Sequence, residues 1–147
     1  MPQADPLPQS TERLTLRHLC EGDLGAFQAY RLDPIVGQYQ GWSPTSDDAA
    51  RDFLIEMSFA VPFSPGQWFQ IGIADRESDM ILGDIGILVS LDSTDVQRVV
   101  AITDSRNNAS MKLLIAIGME QTGTVESTFR GQACIEHVYT LGRPRAA

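Results

Sequence analysis

The chain has 147 residues, 43% hydrophobic and 20% charged, which suffices for one buried core and excludes a disordered, collagen-like or repetitive polypeptide. Eleven basic residues face nineteen acidic ones, a net charge of −8. That balance excludes nucleic-acid binding driven by counterion release, since the arginines are scattered and only Arg143 and Arg145 fall together, in a tail.

Residues 1–10 carry three prolines and are expected to form a flexible tail. From Thr11 onward, Leu14 and Leu16 alternate with Thr15 and Arg17, the pattern of a half-buried strand. Glu21, Gly22 and Asp23 turn the chain. Asp23 is placed to cap a short helix whose Leu24, Phe27 and Tyr30 share a face, and Asp33-Pro34 ends it. Tyr39 and Trp42 follow in a Gly- and Gln-rich loop, where aromatics either lid the core or wall a binding groove. Thr45 and Asp48 have the spacing of a capping box, opening a second helix with Ala49, Ala50, Phe53, Leu54 and Met57 as its apolar stripe.

Two apolar strands come next, 67–75 and 81–90, and the polar turn DRESDM between them signals a hairpin. Gly83 and Gly86 point to a bulge, or to backbone that something approaches closely. A polar link, SLDSTD at 90–95, leads to the nearly continuous apolar strand 96–103. Asn107 or Ser105 is placed to cap a helix that packs through Met111, Leu113, Leu114 and Ile115 and stops at Gly118. Two last strands, roughly 121–129 and 133–141, are joined through Arg130-Gly131-Gln132. This order predicts an α+β (mixed α/β) fold, a mostly antiparallel sheet flanked by helices.

The sequence carries no Walker loop, no H-E-x-x-H, no G-x-S-x-G and no calcium loop. His18 and His137 are too few for a histidine metal site, and each is expected to be structural or exposed. Cys20 and Cys134 form no C-x-x-C, so neither zinc nor a redox pair is signalled. The opening MPQADPLPQS does not read as a signal peptide, and no run reaches the ~18–20 apolar residues of a membrane span. A cytoplasmic location without membrane partners is expected.

Five stretches share a further pattern: TERLTLRHLCEGDL at 11–24, DPIVGQYQGW at 33–42, LGDIGI at 82–87, RVVAITDSRNNASMKLLIAIGM at 98–119, and the closing pair GTVESTF and IEHVYTL. Together they resemble the GNAT-fold N-acetyltransferases of the ribosomal-protein-alanine type, over nearly all of residues 11–143, with 98–119 the most specific part. The resemblance implies a single GNAT-like domain at 11–147. It also implies direct transfer of an acetyl group from acetyl-CoA, as co-substrate, to a small-molecule amine or a protein N-terminus. In such a reaction the amine attacks the thioester carbonyl, the oxyanion is stabilised and the departing sulfur takes a proton. Ser110 stands at the position of the proton donor, and Asp84, like Glu56, is a candidate base as a carboxylate near the expected cleft. Asn107 and Ile85 fall against the coenzyme, and Tyr39 and Trp42 beside the acceptor. From the residues alone, Ser110 is equally a first-turn serine bonding to backbone and Asn107 a helix cap.

The family also has a fourth strand, a Gln/Arg-Gly-x-Gly/Ala loop and a long helix between its third and fifth strands. That loop grips the coenzyme pyrophosphate through backbone N–H groups. This sequence has only SLDSTD there, which reads as an internal deletion around 90–96 and a truncated GNAT-like fold. Strand 96–103 is then expected to close an antiparallel hairpin on 81–89, and the uncovered sheet to favour a homodimer. The competing reading is a catalytically inactive, domain-deleted variant that serves as a structural or dimerisation module.

Overall fold

In the computed structural model, which describes residues 4–90 and 98–142, the chain divides into two units, Met1–Ser93 and Thr94–Ala147. Each has its own antiparallel sheet.

In the first unit the strand order is β1 (Gln9–Ser10), β2 (Leu14–His18), β3 (Trp68–Asp75), β4 (Ile81–Leu88). The alternation of Leu14 and Leu16 does yield a strand, and all five residues of β2 are half-buried. The tail is tied at two points: Gln9 and Ser10 pair with Leu16 and Thr15, and the Asp5 carboxylate meets His18 Nε2 at 2.7 Å. Two helices follow β2, α1 (Leu24–Arg31) and α2 (Asp47–Phe59).

Both expected caps differ from the observed ones. Asp23 makes no forward cap to α1. It closes a 3-10 turn at Glu21–Asp23 by accepting from the Cys20 N–H, and it takes both Nη atoms of Arg17 at 2.9 and 3.0 Å. Burial pushes its carboxyl up, but the Arg17 and Cys20 hydrogen bonds outweigh this and hold it below the ordinary carboxylate value. For α2 the cap is Ser46, whose Oγ accepts from the Ala49 N–H at 3.2 Å, rather than Thr45. Local sequence offered several hydroxyls in a row, and the chain's entry direction selected one.

The core of this unit joins Leu19, Phe27, Ala50, Leu54, Met57, Ala74 and Ile81. Burying each large side chain contributes roughly 1.5–3 kcal/mol. Gly72 on β3 lets the layers close, because a Cβ there would lie 2.8 Å from Ile81 Cδ1 and 3.1 Å from Leu19 Cδ2. The β3–β4 register shifts between Ile73 and Ala74, opposite the residues preceding Gly83. Gly86 is the glycine that is closely approached, since the Gln70 side chain lies against it.

In the second unit, β5 (Arg98–Asp104), β7 (Gln132–Gly142) and β6 (Glu120–Phe129) lie side by side in that order. The β6–β7 hairpin turns through Arg130 and Gly131 at φ 50° and 77°, the two positive values of a two-residue type I′ turn. Helix α3 (Asn108–Ala116) ends in a Schellman motif. Gly118 sits at φ 93°, its N–H bonds to Ile115 O, and the Met119 N–H bonds to Leu114 O.

One expectation fails in this unit, that for the packing face of α3. Strand β5 pairs with β7 along its described length. The link itself, residues 91–95, and the start of the expected strand lie outside the described residues. On α3, Leu113 and Ile115 are 61% and 62% exposed, and the half-buried positions are Met111 and Leu114. Positions 111, 113, 114 and 115 cannot all face one way on a helix.

Candidate functional site

A buried polar cluster of the first unit centres on Asp84, in the middle of β4. Its strand partner is Gly72. The last turn of α1 lies against it. Arg31 Nη2 donates to Asp84 Oδ1 at 2.8 Å, and the Tyr30 hydroxyl donates to Asp84 Oδ2 in a short hydrogen bond. The Asp84 and Arg31 side chains are only 4% and 13% exposed. Burial, then the hydrogen bond to Asp84 and its charge, push the Tyr30 phenol well above its ordinary value, so it stays protonated and donates.

Arg31 is also held between rings. Its guanidinium lies 4.0 Å from the Trp42 ring centroid and 4.7 Å from that of Phe27. Trp42 is half-buried over Arg31, and its indole N–H is buried without a partner. Tyr39 closes a 3-10 turn at Val36–Tyr39 and is half-buried.

The six sequence-derived site residues thus fall into separate groups. Asp84 and Trp42 are linked through Arg31. Ile85 pairs with Ile71 on the opposite face of β4 and is 45% exposed. Asn107 and Ser110 share the first turn of α3, where Asn107 Oδ1 accepts from the Ser110 N–H at 3.1 Å. Asn107 is the cap, as one of its two readings required, and Ser105 is not. Sequence reasoning missed Tyr30 and Arg31 as partners of Asp84. A signal existed: a carboxylate inside an otherwise apolar strand requires a buried cation or donor.

The entry to α3 is fixed by Asp104, buried at the end of β5. Its Oδ1 accepts from the Arg106 N–H and Nε at 2.9 Å each, and Oδ2 from Nη2 at 2.7 Å. The Arg106 guanidinium holds the Asp104 carboxyl at about 2, below the ordinary 3.8, against the opposing effect of burial. The folded pKa is the lower one, so as pH falls the unfolded chain takes up the proton first. The stabilisation is complete above about pH 4 and is lost as pH falls through about 2. Thermal melts across that window should show Asp104→Asn losing less stability on acidification than the parent. Parallel acid limbs would show that Asp104 does not titrate this way. Because Arg106 is 53% exposed on its side chain, added salt should shrink the difference.

The model of the GNAT acetyltransferase domain matches residues 13–94, more than half of the chain. The chain belongs to the GNAT acetyltransferase family. Solved structures similar to this GNAT chain share its fold at low identity. A GNAT-family acetyltransferase from Bacillus anthracis is 13% identical with a TM-score of 0.72, covering 92% of this chain and 98% of that one. The ribosomal L7/L12 α-N-protein acetyltransferase RimL, solved with coenzyme A, is 14% identical with a TM-score of 0.68, covering 91% and 96%. A ribosomal-protein-S5-alanine acetyltransferase from Vibrio fischeri is 12% identical with a TM-score of 0.66, covering 92% and 96%. No curated protein sequence matches the chain. The α+β architecture, with antiparallel sheets and three α-helices among the described residues, is thus that of the GNAT fold. The family match in this GNAT chain runs from β2 through β4 and takes in Tyr39, Trp42, Asp84 and Ile85, whereas Asn107 and Ser110 lie beyond it. No helix among the described residues is long and apolar enough to cross a membrane.

Proposed function

We propose that the chain is an N-acetyltransferase that transfers an acetyl group directly from acetyl-CoA to an amine. The GNAT match over residues 13–94 carries this reading. The fold likeness to ribosomal-protein acetyltransferases supports a protein N-terminus or a small amine as acceptor. In this reading residues 11–147 act as one domain, in the cytoplasm and without nucleic-acid partners. Ser110 supplies the proton to the departing sulfur from the first turn of α3, Asn107 and Ile85 contact the coenzyme, and Tyr39 and Trp42 bound the acceptor. Asp84, with both oxygens engaged by Tyr30 and Arg31, positions α1 on β4 rather than taking a proton from the amine.

The residues present do not form the family's pyrophosphate grip. The one Arg-Gly-x-Ala run of the sequence, Arg130–Ala133, turns the β6–β7 hairpin and opens no helix, and at the start of α3 the Ser110 N–H is already taken by Asn107. The second reading, an inactive module that dimerises, draws on exposed apolar side chains of the second unit, among them Ile102 at 58% and Ile117 at 56%.

A calorimetric titration with acetyl-CoA separates the two. One-to-one binding with Kd on the order of micromolar is expected, followed by turnover with an amine that Ser110→Ala lowers through kcat. A folded sample that gives no heat would remove the transferase reading and leave the module.

A further inference from the structure

The N-terminal strap, Asp5 to Ser10, is fastened to the first unit at both ends. Its Gln9 and Ser10 pair with Leu16 and Thr15 on the outer edge of β2, and its Asp5 meets His18, the last residue of β2. The His18 side chain is 25% exposed and joins three elements. Its Nε2 lies 2.7 Å from the Asp5 carboxylate, and its Nδ1 lies 3.4 Å from the carbonyl oxygen of Met57. Its ring meets that of Phe69 on β3 edge-on, 5.3 Å between centroids. Met57 belongs to the last turn of α2, where carbonyls lack partners within the helix and the helix dipole attracts a cation. Both nitrogens of His18 therefore face acceptors. A neutral imidazole has one N–H and serves one of them, setting its lone pair against the other oxygen, whereas an imidazolium serves both. The other charged groups at this end of β2 are Arg17 and Glu56. Arg17 donates to the His18 carbonyl at 2.9 Å and is itself held by Asp23 and Asp79, and Glu56 precedes Met57 on α2. Strand β3 brings only Phe69 and Ile71 to His18. The Leu7 N–H donates to Asp5 Oδ1 at 2.9 Å. That bond, then the one to His18, holds the Asp5 carboxyl below its ordinary value, so it stays ionised across the range where histidines change charge, about pH 5–8.

We propose that His18 is a proton-operated latch, which holds the N-terminal strap and the end of α2 against β2 and β3 when both ring nitrogens carry a proton and lets the strap go when one is lost. The closed state binds that proton more tightly than the open one. Closure is therefore tightest toward the acid end of the histidine range and weakens as pH rises through it. Release returns Leu7, half-buried in the closed state, to water. With only two residues paired, β1 then frays from the edge of β2 and uncovers its backbone groups. The latch lies wholly within the first unit and is independent of both readings of the function.

The test is an NMR titration of the full chain across about pH 5–8. It follows the strap by the amide signals and heteronuclear NOE of Leu7, Gln9 and Ser10, and the His18 ring by its nitrogen shifts. The ratio of closed to open strap should fall about fivefold over this range, the scale of one partly exposed ion pair. The His18 ring should carry protons on both nitrogens in the closed state and lose one as the strap opens. His18→Gln keeps a donor but takes no charge, and Asp5→Asn removes the carboxylate. Each should hold the ratio near its alkaline value at every pH. His137→Gln, which removes the other histidine of the chain, should leave the response intact. A strap equally closed at all pH values, a response that persists in His18→Gln, or a strap that tightens as pH rises would overturn the proposal. Should His18→Gln fail to fold, Asp5→Asn decides alone, since Asp5 is exposed and its loss empties no core.

Discussion

Replacing Asp84 with alanine should lower the unfolding free energy by about 3–5 kcal/mol, the range seen when one partner of a buried ion pair is removed. The reason is what stays behind. Arg31 cannot be neutralised, its side chain is 13% exposed, and its Nε already lacks a partner. The Tyr30 hydroxyl also loses its acceptor. Against a typical domain stability of about 5–15 kcal/mol, such a loss would shift the denaturant midpoint strongly while leaving the slope unchanged. Removing both charges together, as Asp84→Leu with Arg31→Met, should recover most of the loss, because two apolar side chains need no compensation. Tyr30→Phe alone should cost only about 1.5–3 kcal/mol, one hydrogen bond to a charged group. A loss below about 1 kcal/mol for Asp84→Ala would mean that water reaches the pair and that Asp84 is available for proton transfer after all.

Leu54→Ala should cost about 2–5 kcal/mol by emptying the centre of the first unit's core. Leu54 is fully buried in the cluster of Leu19, Phe27, Ala50 and Met57. Its neighbours come from β2's exit, from both helices and from the β3–β4 sheet, so no single element can move in to fill the space. Leu54→Met, which nearly conserves volume, should cost under about 1.5 kcal/mol. Equilibrium unfolding of both variants checks the pair. Equal losses would point to a requirement for leucine's branching rather than for its volume.

Much of the local structure was legible because it depends on neighbours in the chain. The alternation at Leu14 and Leu16 made a strand, the Ala50, Leu54 and Met57 spacing made the buried stripe of α2, and Gly118 stopped α3 at positive φ. The failures share a cause as well. The N-cap moved from Thr45 to Ser46, and α3 half-buries Met111 and Leu114 but leaves Leu113 and Ile115 exposed. In each case several local solutions are nearly equal in energy, and packing from elsewhere breaks the tie.

The candidate site divides in the same way. Asn107 beside Ser110 was legible, because a cap and the first turn it serves lie three residues apart. Asp84 was legible as an anomaly, but Tyr30 and Arg31 as its partners were not, because 53 or more residues separate them along the chain. The orphaned oxygen of Gln70 was equally invisible, since it exists only because Gly86 on the neighbouring strand lets the amide lie down.

By itself, then, the sequence determined the fold class, the positions of most strands and helices, and the family. These follow from hydrophobic period, turn chemistry and motif, all of which act over a few residues. Only the tertiary structure decided that Asp84 is locked to Arg31 and Tyr30, that Trp42 lies over Arg31, and that the Gln70 amide oxygen is buried against Gly86 without a donor. Each is a distance between chain segments brought together by packing, and such distances depend on how whole faces fit, which no local pattern encodes.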